Sequence, residues 1–156
     1  MSKKIFITGS SRGIGAAIAR QAKKKDYEVI LHGKSSSESL EKLASELNSK
    51  YLTFDVSNED EVSRALSKIS EVDVLINSAG INISNTFNDL TESDWRAVYD
   101  TNVFGLANVT KHTLPLMRKT SGTKKIVNIA SIKGIYSSVG RVAYASSKAA
   151  VINLTT

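Results

Sequence analysis

The chain has no cysteine. That excludes disulfides and cysteine-based metal sites and fits a reducing compartment, so a cytoplasmic location is expected. Histidine is scarce as well. His32 and His112 stand far apart, too isolated for a metal centre, and no metal is expected. No apolar run approaches the length of a membrane span. Met1-Ser2-Lys3-Lys4 runs straight into an apolar segment, so neither a membrane partner nor a signal peptide is expected. Proline occurs once, at Pro115, and no linker or internal repeat is evident. A basic face interleaved with aromatics is also missing. The formal net charge is +6, yet the basic residues are scattered, so nucleic acid is not an expected partner. Such a charge also suits anionic cofactors and carriers. Lys23-Lys24-Lys25 falls where cations complement the end of a helix dipole. What remains is 156 residues, 41% hydrophobic and 23% charged. Those are globular values, enough for one domain, 1–156, with a real core.

Strand and helix patterns alternate along this domain. Lys3–Thr8 is a short apolar run with basic flanks, followed by Gly9-Ser10-Ser11-Arg12-Gly13-Ile14-Gly15. Ile14, Ala17, Ile18 and Ala22 then repeat at helical spacing, predicting a helix from Gly13 to Lys25. Further strands are predicted at Tyr27–His32, Tyr51–Phe54, Val72–Asn77 and Lys124–Ala130. Leu40, Leu43, Ala44 and Leu47 mark a second helix, and Val62, Ala65, Leu66 and Ile69 a third. Thr91-Glu92-Ser93-Asp94 caps a long helix that runs through Trp95, Val98 and Val103 to Met117, with Pro115 shortening its end. A last helix starts at Val142. This alternation implies an α/β fold, a doubly wound parallel sheet with right-handed crossovers.

Two stretches carry chemistry. The glycine-rich turn lies between a strand and a helix. Glycines there permit positive φ and close backbone approach, and a helix N-terminus offers free N–H groups to a pyrophosphate. Alone, such a segment also reads as a simple tight turn. The second stretch is Tyr144-Ala145-Ser146-Ser147-Lys148, with Ser131 thirteen residues upstream of Tyr144. Residues four apart on a helix share a face, offset by roughly 6 Å along the axis. An ammonium about 4 Å from a phenol, at an effective dielectric of about 20, stabilises the phenolate by about 4 kcal/mol. That is enough to tune a phenol for acid–base work near neutral pH. The plain alternative is a surface Tyr and a solvated Lys. Ser131 falls at the carboxyl end of a predicted strand, the edge where ligands bind in open α/β sheets, although a Ser there also starts turns.

Together these stretches resemble the short-chain dehydrogenase/reductase family, and within it the 3-oxoacyl-acyl-carrier-protein reductases. Thr8-Gly9-Ser10-Ser11-Arg12-Gly13-Ile14-Gly15 is similar to the family's cofactor turn. Asn77-Ser78-Ala79-Gly80 is similar to its Asn-Asn-Ala-Gly segment, with Ser in second place. Asn102, Ser131, Tyr144 and Lys148 match its catalytic tetrad. The resemblance runs from Lys4 onward. It implies a Rossmann-type sheet of strand order 3-2-1-4-5 and NADPH-dependent reduction of a carbonyl, such as a 3-oxoacyl thioester. Ser131 would bond the substrate oxygen and Tyr144 would donate the proton. Lys148 would assist Tyr144 and bind the nicotinamide ribose, and Asn102 would complete a proton relay. The alternatives are an NAD(P)-dependent alcohol or sugar dehydrogenase and a non-catalytic dinucleotide-binding module.

The cofactor residues implied are Gly9, Ser11, Arg12, Gly13, Ile14, Gly15, Lys34, Asp55, Val56, Asn77, Ala79 and Gly80, with Tyr144 and Lys148. After the second strand comes His32-Gly33-Lys34-Ser35, with no acid before Glu38. An acid there would favour NAD, whereas Lys34 and Arg12 suit the 2′-phosphate of NADP; plain surface charge is the other reading. Glu38 reads as the third helical position of a capping box begun by Ser35. Asp55 is implied to receive the adenine amino group, with the Val56 backbone beside it. Ser57-Asn58-Glu59-Asp60 looks like the cap of the third helix, which leaves Asp55 free. Arg118, Lys119, Lys124 and Lys125 suit either an acidic acyl carrier protein or helix-dipole and solubility roles. The chain stops at Val151–Thr156 within the last helix without a stop signal, so it is expected to be the N-terminal part of a longer protein, a homo-oligomer in full-length form.

Overall fold

In the computed structural model of the chain, which describes residues 2–155, five strands form one parallel sheet. They are β1 (Lys4–Ile7), β2 (Glu28–Gly33), β3 (Lys50–Thr53), β4 (Val74–Asn77) and β5 (Lys125–Asn128). Their order is β3-β2-β1-β4-β5, as the resemblance implies. Ile5 pairs with Val29 on one side and with Val74 on the other. Met1 and Thr156, which bear on the expectations for the two chain ends, lie outside the described residues.

Alternation within the strands builds two core layers. Ile5, Ile7, Val29 and Leu31 face α1 (Gly13–Lys24) and α2 (Glu38–Leu47), against Ala16, Ala19, Leu40 and Leu43. Phe6, Ile30 and Leu75 face the other way, toward α3 (Glu59–Leu66) and α5 (Gly105–Met117), against Val62, Leu66, Val109 and Leu116. Each fully buried Val, Leu, Ile or Phe among them contributes roughly 1.5–3 kcal/mol. Every residue of β4 is buried, which explains its unbroken apolar sequence: a central parallel strand is covered on both faces. At the amino end of the sheet Asp73 ties three strands together. Its carboxylate accepts from the Lys4 N–H at 2.8 Å and from Lys124 Nζ at 2.9 Å. Burial opposes its ionisation, but these donors and the Thr120 hydroxyl outweigh it and hold the carboxyl at about 2.

Four local expectations are corrected. First, α1 buries Gly15, Ala16, Ala19 and Ala22, whereas Ala17 is exposed and Ile14 is 60% exposed. Small residues let the helix approach the sheet closely, and the larger Ile14 is left at the lip of a cleft. Second, α2 is capped by Ser37, which accepts from the Leu40 N–H, so Ser35 starts no capping box with Glu38. Glu38 instead pairs with Lys42 one turn on. Third, the long helix is broken. α4 (Glu92–Tyr99), with the Thr91–Asp94 capping box, passes into a π turn at Asp100–Phe104 before α5 resumes. Pro115 lies in the last turn of α5, two residues before its end. Fourth, α6 (Val142–Asn153) closes at Asn153, and the Leu154 N–H returns to the Ala150 carbonyl.

Candidate active site

The carboxyl ends of the strands open onto a cleft of about 770 Å³. The glycine turn forms one lip. Gly9 and Gly13 take φ of +61° and +58°, a region that costs any residue with a Cβ. A Cβ on Gly9 would stand 2.7 Å from the Ala79 Cα, and one on Gly15 would stand 2.5 Å from the Gly9 carbonyl oxygen. The turn is therefore packed backbone to backbone against the end of β4 and against itself. α1 begins at Gly13 with no side chain capping it, so its first N–H groups stay free for an anion. Ser11, Arg12, Ile14 and Gly15 line the cleft beside Gly9.

Lys34, Asp55 and Val56 line one end of the cleft. Asp55 is less free than its sequence context implies. Its Oδ1 accepts from the Ser57 N–H and hydroxyl at 3.0 and 2.7 Å, and its Oδ2 pairs with Lys34 Nζ at 2.7 Å. Burial raises the Asp55 carboxyl, but Lys34 and Ser57 prevail and hold it below the usual range. The cap of α3 comes from Asn58, and Glu61 reaches back to the Asp55 N–H at 2.8 Å. The Lys34 side chain is 79% exposed and makes its ion pair across the cleft wall. Glu38 takes no part in that wall.

Ala79 and Gly80 form the floor. Asn77 lies behind them, its Nδ2 donating to Thr110 Oγ1 at 3.0 Å and to Asn128 Oδ1 at 2.9 Å. It ties β4 to α5 and to β5 and does not reach the cleft wall. On the far side stand Tyr144 and Lys148 of α6. Lys148 Nζ lies 5.8 Å from the centre of the Tyr144 ring, so the two side chains share one face of α6. Lys148 is 6% exposed and donates to the Ile129 carbonyl at 2.7 Å. Burial pushes its ammonium below the ordinary lysine value, and no carboxylate pairs with it among the described residues.

Asn102 and Ser131 stand just outside the wall. A mid-helix Asn is expected to be exposed, yet Asn102 is 1% exposed. The π turn swings it inward. Its Oδ1 accepts from the Ile81 N–H at 2.8 Å, while its Nδ2 donates to the Ile81 carbonyl at 2.9 Å and to Ser147 Oγ at 3.0 Å. Ser147 in turn donates to the Tyr144 carbonyl at 2.7 Å. Asn102 Oδ1 and Lys148 Nζ come within 3.1 and 3.6 Å of the point a Cβ on Gly80 would occupy. Ser131 is half-buried and caps a short 3-10 turn, its Oγ accepting from the Lys133 N–H at 3.1 Å. Its neighbours Ile129 and Ala130 line the cleft.

Three residues here escape a motif-based reading of their own roles. Thr8 Oγ1 accepts from the Ser78 and Ala79 N–H groups at 3.0 and 3.1 Å, joining the turn to the floor. Ser147 is fully buried and links Asn102 to α6. His32 lines the cleft and bonds the turn directly. Only Thr8 carries a sequence signal, its place immediately before the turn.

A parallel sheet with a glycine turn, a Tyr-x-x-x-Lys helix and a buried Asn around one cleft defines a dinucleotide-type oxidoreductase architecture. A sequence profile of the short chain dehydrogenase family matches residues 3–156, and the chain belongs to that family. It is 34% identical over 165 aligned positions to the 3-oxoacyl-acyl-carrier-protein reductase FabG of Staphylococcus aureus, a match covering 99% of this chain and 66% of that protein. It is 35% identical to serine 3-dehydrogenase of Agrobacterium fabrum, covering 96% of this chain and 61% of that one. The structure of a gluconate 5-dehydrogenase from Burkholderia cenocepacia, in complex with NADP and tartrate, superposes with a TM-score of 0.90 at 27% identity. That match covers 99% of this chain and 64% of the other. The chain thus spans slightly less than two thirds of the curated relatives it matches.

Proposed function

We propose that the chain binds NADPH in this cleft and reduces a carbonyl substrate, with Tyr144 as the proton donor. The observation that carries this reading is the convergence of the glycine turn, Tyr144 and Lys148 on one cleft. The donor set fits the cofactor: the free N–H groups of α1 and the backbone cradle of Gly9 and Gly15 suit a pyrophosphate. Gly80 leaves room beside Lys148, whose ammonium would hold a ribose hydroxyl. Lys34 and Arg12 suit a 2′-phosphate.

The bound dinucleotide supplies the hydride. The side chains do the rest. The Tyr144 hydroxyl holds the carbonyl oxygen and gives it a proton as negative charge develops there. The Lys148 ammonium stabilises the charge left on the Tyr144 oxygen. Beyond its bond to the Ile129 carbonyl, and with no counter-carboxylate among the described residues, that ammonium keeps two N–H donors for the phenol and the ribose. Ser131 accepts from the Lys133 N–H through a lone pair, so its hydroxyl proton remains to donate a second hydrogen bond to the carbonyl oxygen. Asn102 fixes Ile81 and α6, and so the distance between the floor and Tyr144. A 3-oxoacyl thioester is the favoured substrate, by likeness to the FabG protein, with an acidic carrier as its bearer.

An oxidative alcohol or sugar dehydrogenase is the second reading, favoured by the likeness to a serine and a gluconate dehydrogenase. Dissociation constants for NADPH and NADH, followed by turnover with oxoacyl thioesters, serine and gluconate, test both. Tighter NADPH binding with reduction of the thioester is expected. Equal affinities refute the assignment of Lys34 and Arg12, and turnover of the hydroxy acids alone refutes the substrate class.

A further inference from the structure

Among the described residues the buried titratable groups without a part in catalysis include Asp73, at the amino end of the sheet, and His32, at the cleft. His32, the fifth residue of β2, is 2% exposed, yet its ring borders the cleft. Each of its polar atoms is committed. Nδ1 accepts from the Gly9 N–H at 3.1 Å. Nε2 meets the Phe54 carbonyl oxygen at 2.9 Å. A carbonyl only accepts, so Nε2 must carry the proton and Nδ1 must be bare. The backbone completes the link. The His32 N–H donates to Ser10 Oγ at 2.8 Å, and the His32 carbonyl accepts from the Ser10 N–H at 2.9 Å. The ring lies 4.1 Å from Phe54, the two planes tilted by 45°, and edge-on to Phe6 at 6.3 Å. Burial lowers the ring to about 4, so it is neutral at physiological pH. The charged groups along the same cleft wall are Asp55, paired with Lys34, and Arg12. His32 adds no charge to them and is no phosphate ligand.

The geometry points to His32 as a positioning residue for the dinucleotide: its neutral Nε2–H ring clips the first turn residue, Gly9, to the carboxyl ends of β2 and β3. This rests on the reading of the cleft as a dinucleotide site. Gly9 holds a left-handed conformation and presses on Ala79 and Gly15. Among the described residues its N–H has no other partner, so the imidazole alone pairs with it, beside the Ser10 bonds and the Ala79 contact that also hold the turn. The rest of the turn follows from Gly9. Here the ring joins the sheet to the loop that approaches the ligand.

Two substitutions separate the ring's two ends. In His32→Asn the amide oxygen stands near the Nδ1 position and can accept from Gly9, while the Phe54 contact is lost. In His32→Gln the amide reaches toward Phe54, but nothing accepts from Gly9. Binding of NADPH and of ADP-ribose should remain within about threefold of wild type in His32→Asn and fall at least tenfold in His32→Gln, since an unpaired buried donor is costly. The two variants should unfold at similar temperatures. Nitrogen NMR of the unliganded chain should show a bare Nδ1 and a protonated Nε2, with the Gly9 amide protected from exchange in wild type and His32→Asn only. Equal binding by the two variants, or binding that merely follows their stability, would overturn the inference. So would the opposite tautomer. If the wild-type chain bound no dinucleotide, the reading of the cleft would fail, and the Gly9 amide would still decide whether His32 holds the turn.

Discussion

Replacing Asn102 by Ala is the perturbation whose magnitude the structure defines most closely. The side chain is 1% exposed and makes three hydrogen bonds, two of them to the N–H and carbonyl of Ile81. Ser147 Oγ loses one bond but keeps its donation to the Tyr144 carbonyl. The cost therefore comes mainly from the two Ile81 groups. Leaving a buried polar group unpaired costs about 1–3 kcal/mol. Ile81 is 39% exposed, so water reaches part of it, and the summed loss should be about 2–4 kcal/mol. For a domain of this size each kcal/mol lowers Tm by about 2–4 °C. Asn102→Ala should thus unfold roughly 5–15 °C below wild type when followed by circular dichroism. Asn108→Ala supplies the contrast. Asn108 is half-buried and makes one 3.3 Å bond to the Val56 carbonyl, so its loss should cost under about 1 kcal/mol. A fall of less than 2 °C for Asn102→Ala, or an equal fall for both variants, would refute the claim that the π turn is held by this amide.

Acid should expose the burial of His32. The unfolded chain takes up a proton near 6.5, whereas the folded ring waits until about 4. The stability held above pH 6.5 is therefore lost as pH falls through that window. Between pH 7 and pH 5 the loss is about 2 kcal/mol. Urea unfolding at the two pH values should show that extra slope in wild type and not in His32→Asn. Lys148→Met should lose turnover without unfolding earlier at pH 7. Burial depresses the lysine in the folded state, so its ammonium costs stability at neutral pH, and that cost eases only as pH climbs toward 10.5. A Tm drop above 5 °C would contradict this. Gly134→Ala should cost about 1–3 kcal/mol and reduce turnover. Its Cβ would sit 2.7 Å from the Lys148 carbonyl carbon and 2.9 Å from the Ala149 nitrogen. Unchanged Tm and rate would show that the turn after Ser131 can shift freely.

The parts of the fold that were legible in sequence are those where one physical cause dominates. Ile5–Ile7 and Val74–Asn77 read as buried strands because they are covered on both faces. Thr91-Glu92-Ser93-Asp94 read as a helix cap because its partners, Thr91 and Asp94, lie in one turn. Less legible were features set by contacts distant in sequence. The break at Asp100–Phe104 depends on Asn102 finding Ile81 and Ser147, and a helical periodicity from Trp95 to Met117 hides it. The buried face of α1 follows from how closely Ala16 and Ala19 approach the sheet, so larger residues such as Ile14 mislead. Ser35, Ser36 and Ser37 offer three caps, and only the chain's path selects Ser37. Asp55 looked free because Lys34, just past β2, reaches it only through space, while Ser57 closes a local turn on it from two residues on. His32 looked idle because a buried imidazole announces nothing until both ring nitrogens have partners.

The central claim is that Tyr144 gives up a proton in this cleft. Stopped-flow mixing of NADPH-loaded protein with a 3-oxoacyl thioester, in wild type and Tyr144→Phe, tests it most directly. The phenylalanine ring preserves the packing, so NADPH affinity should change by less than about threefold while the single-turnover rate falls by about 10²–10⁴. A Tyr144→Phe variant that oxidised NADPH within tenfold of the wild-type rate would contradict the account.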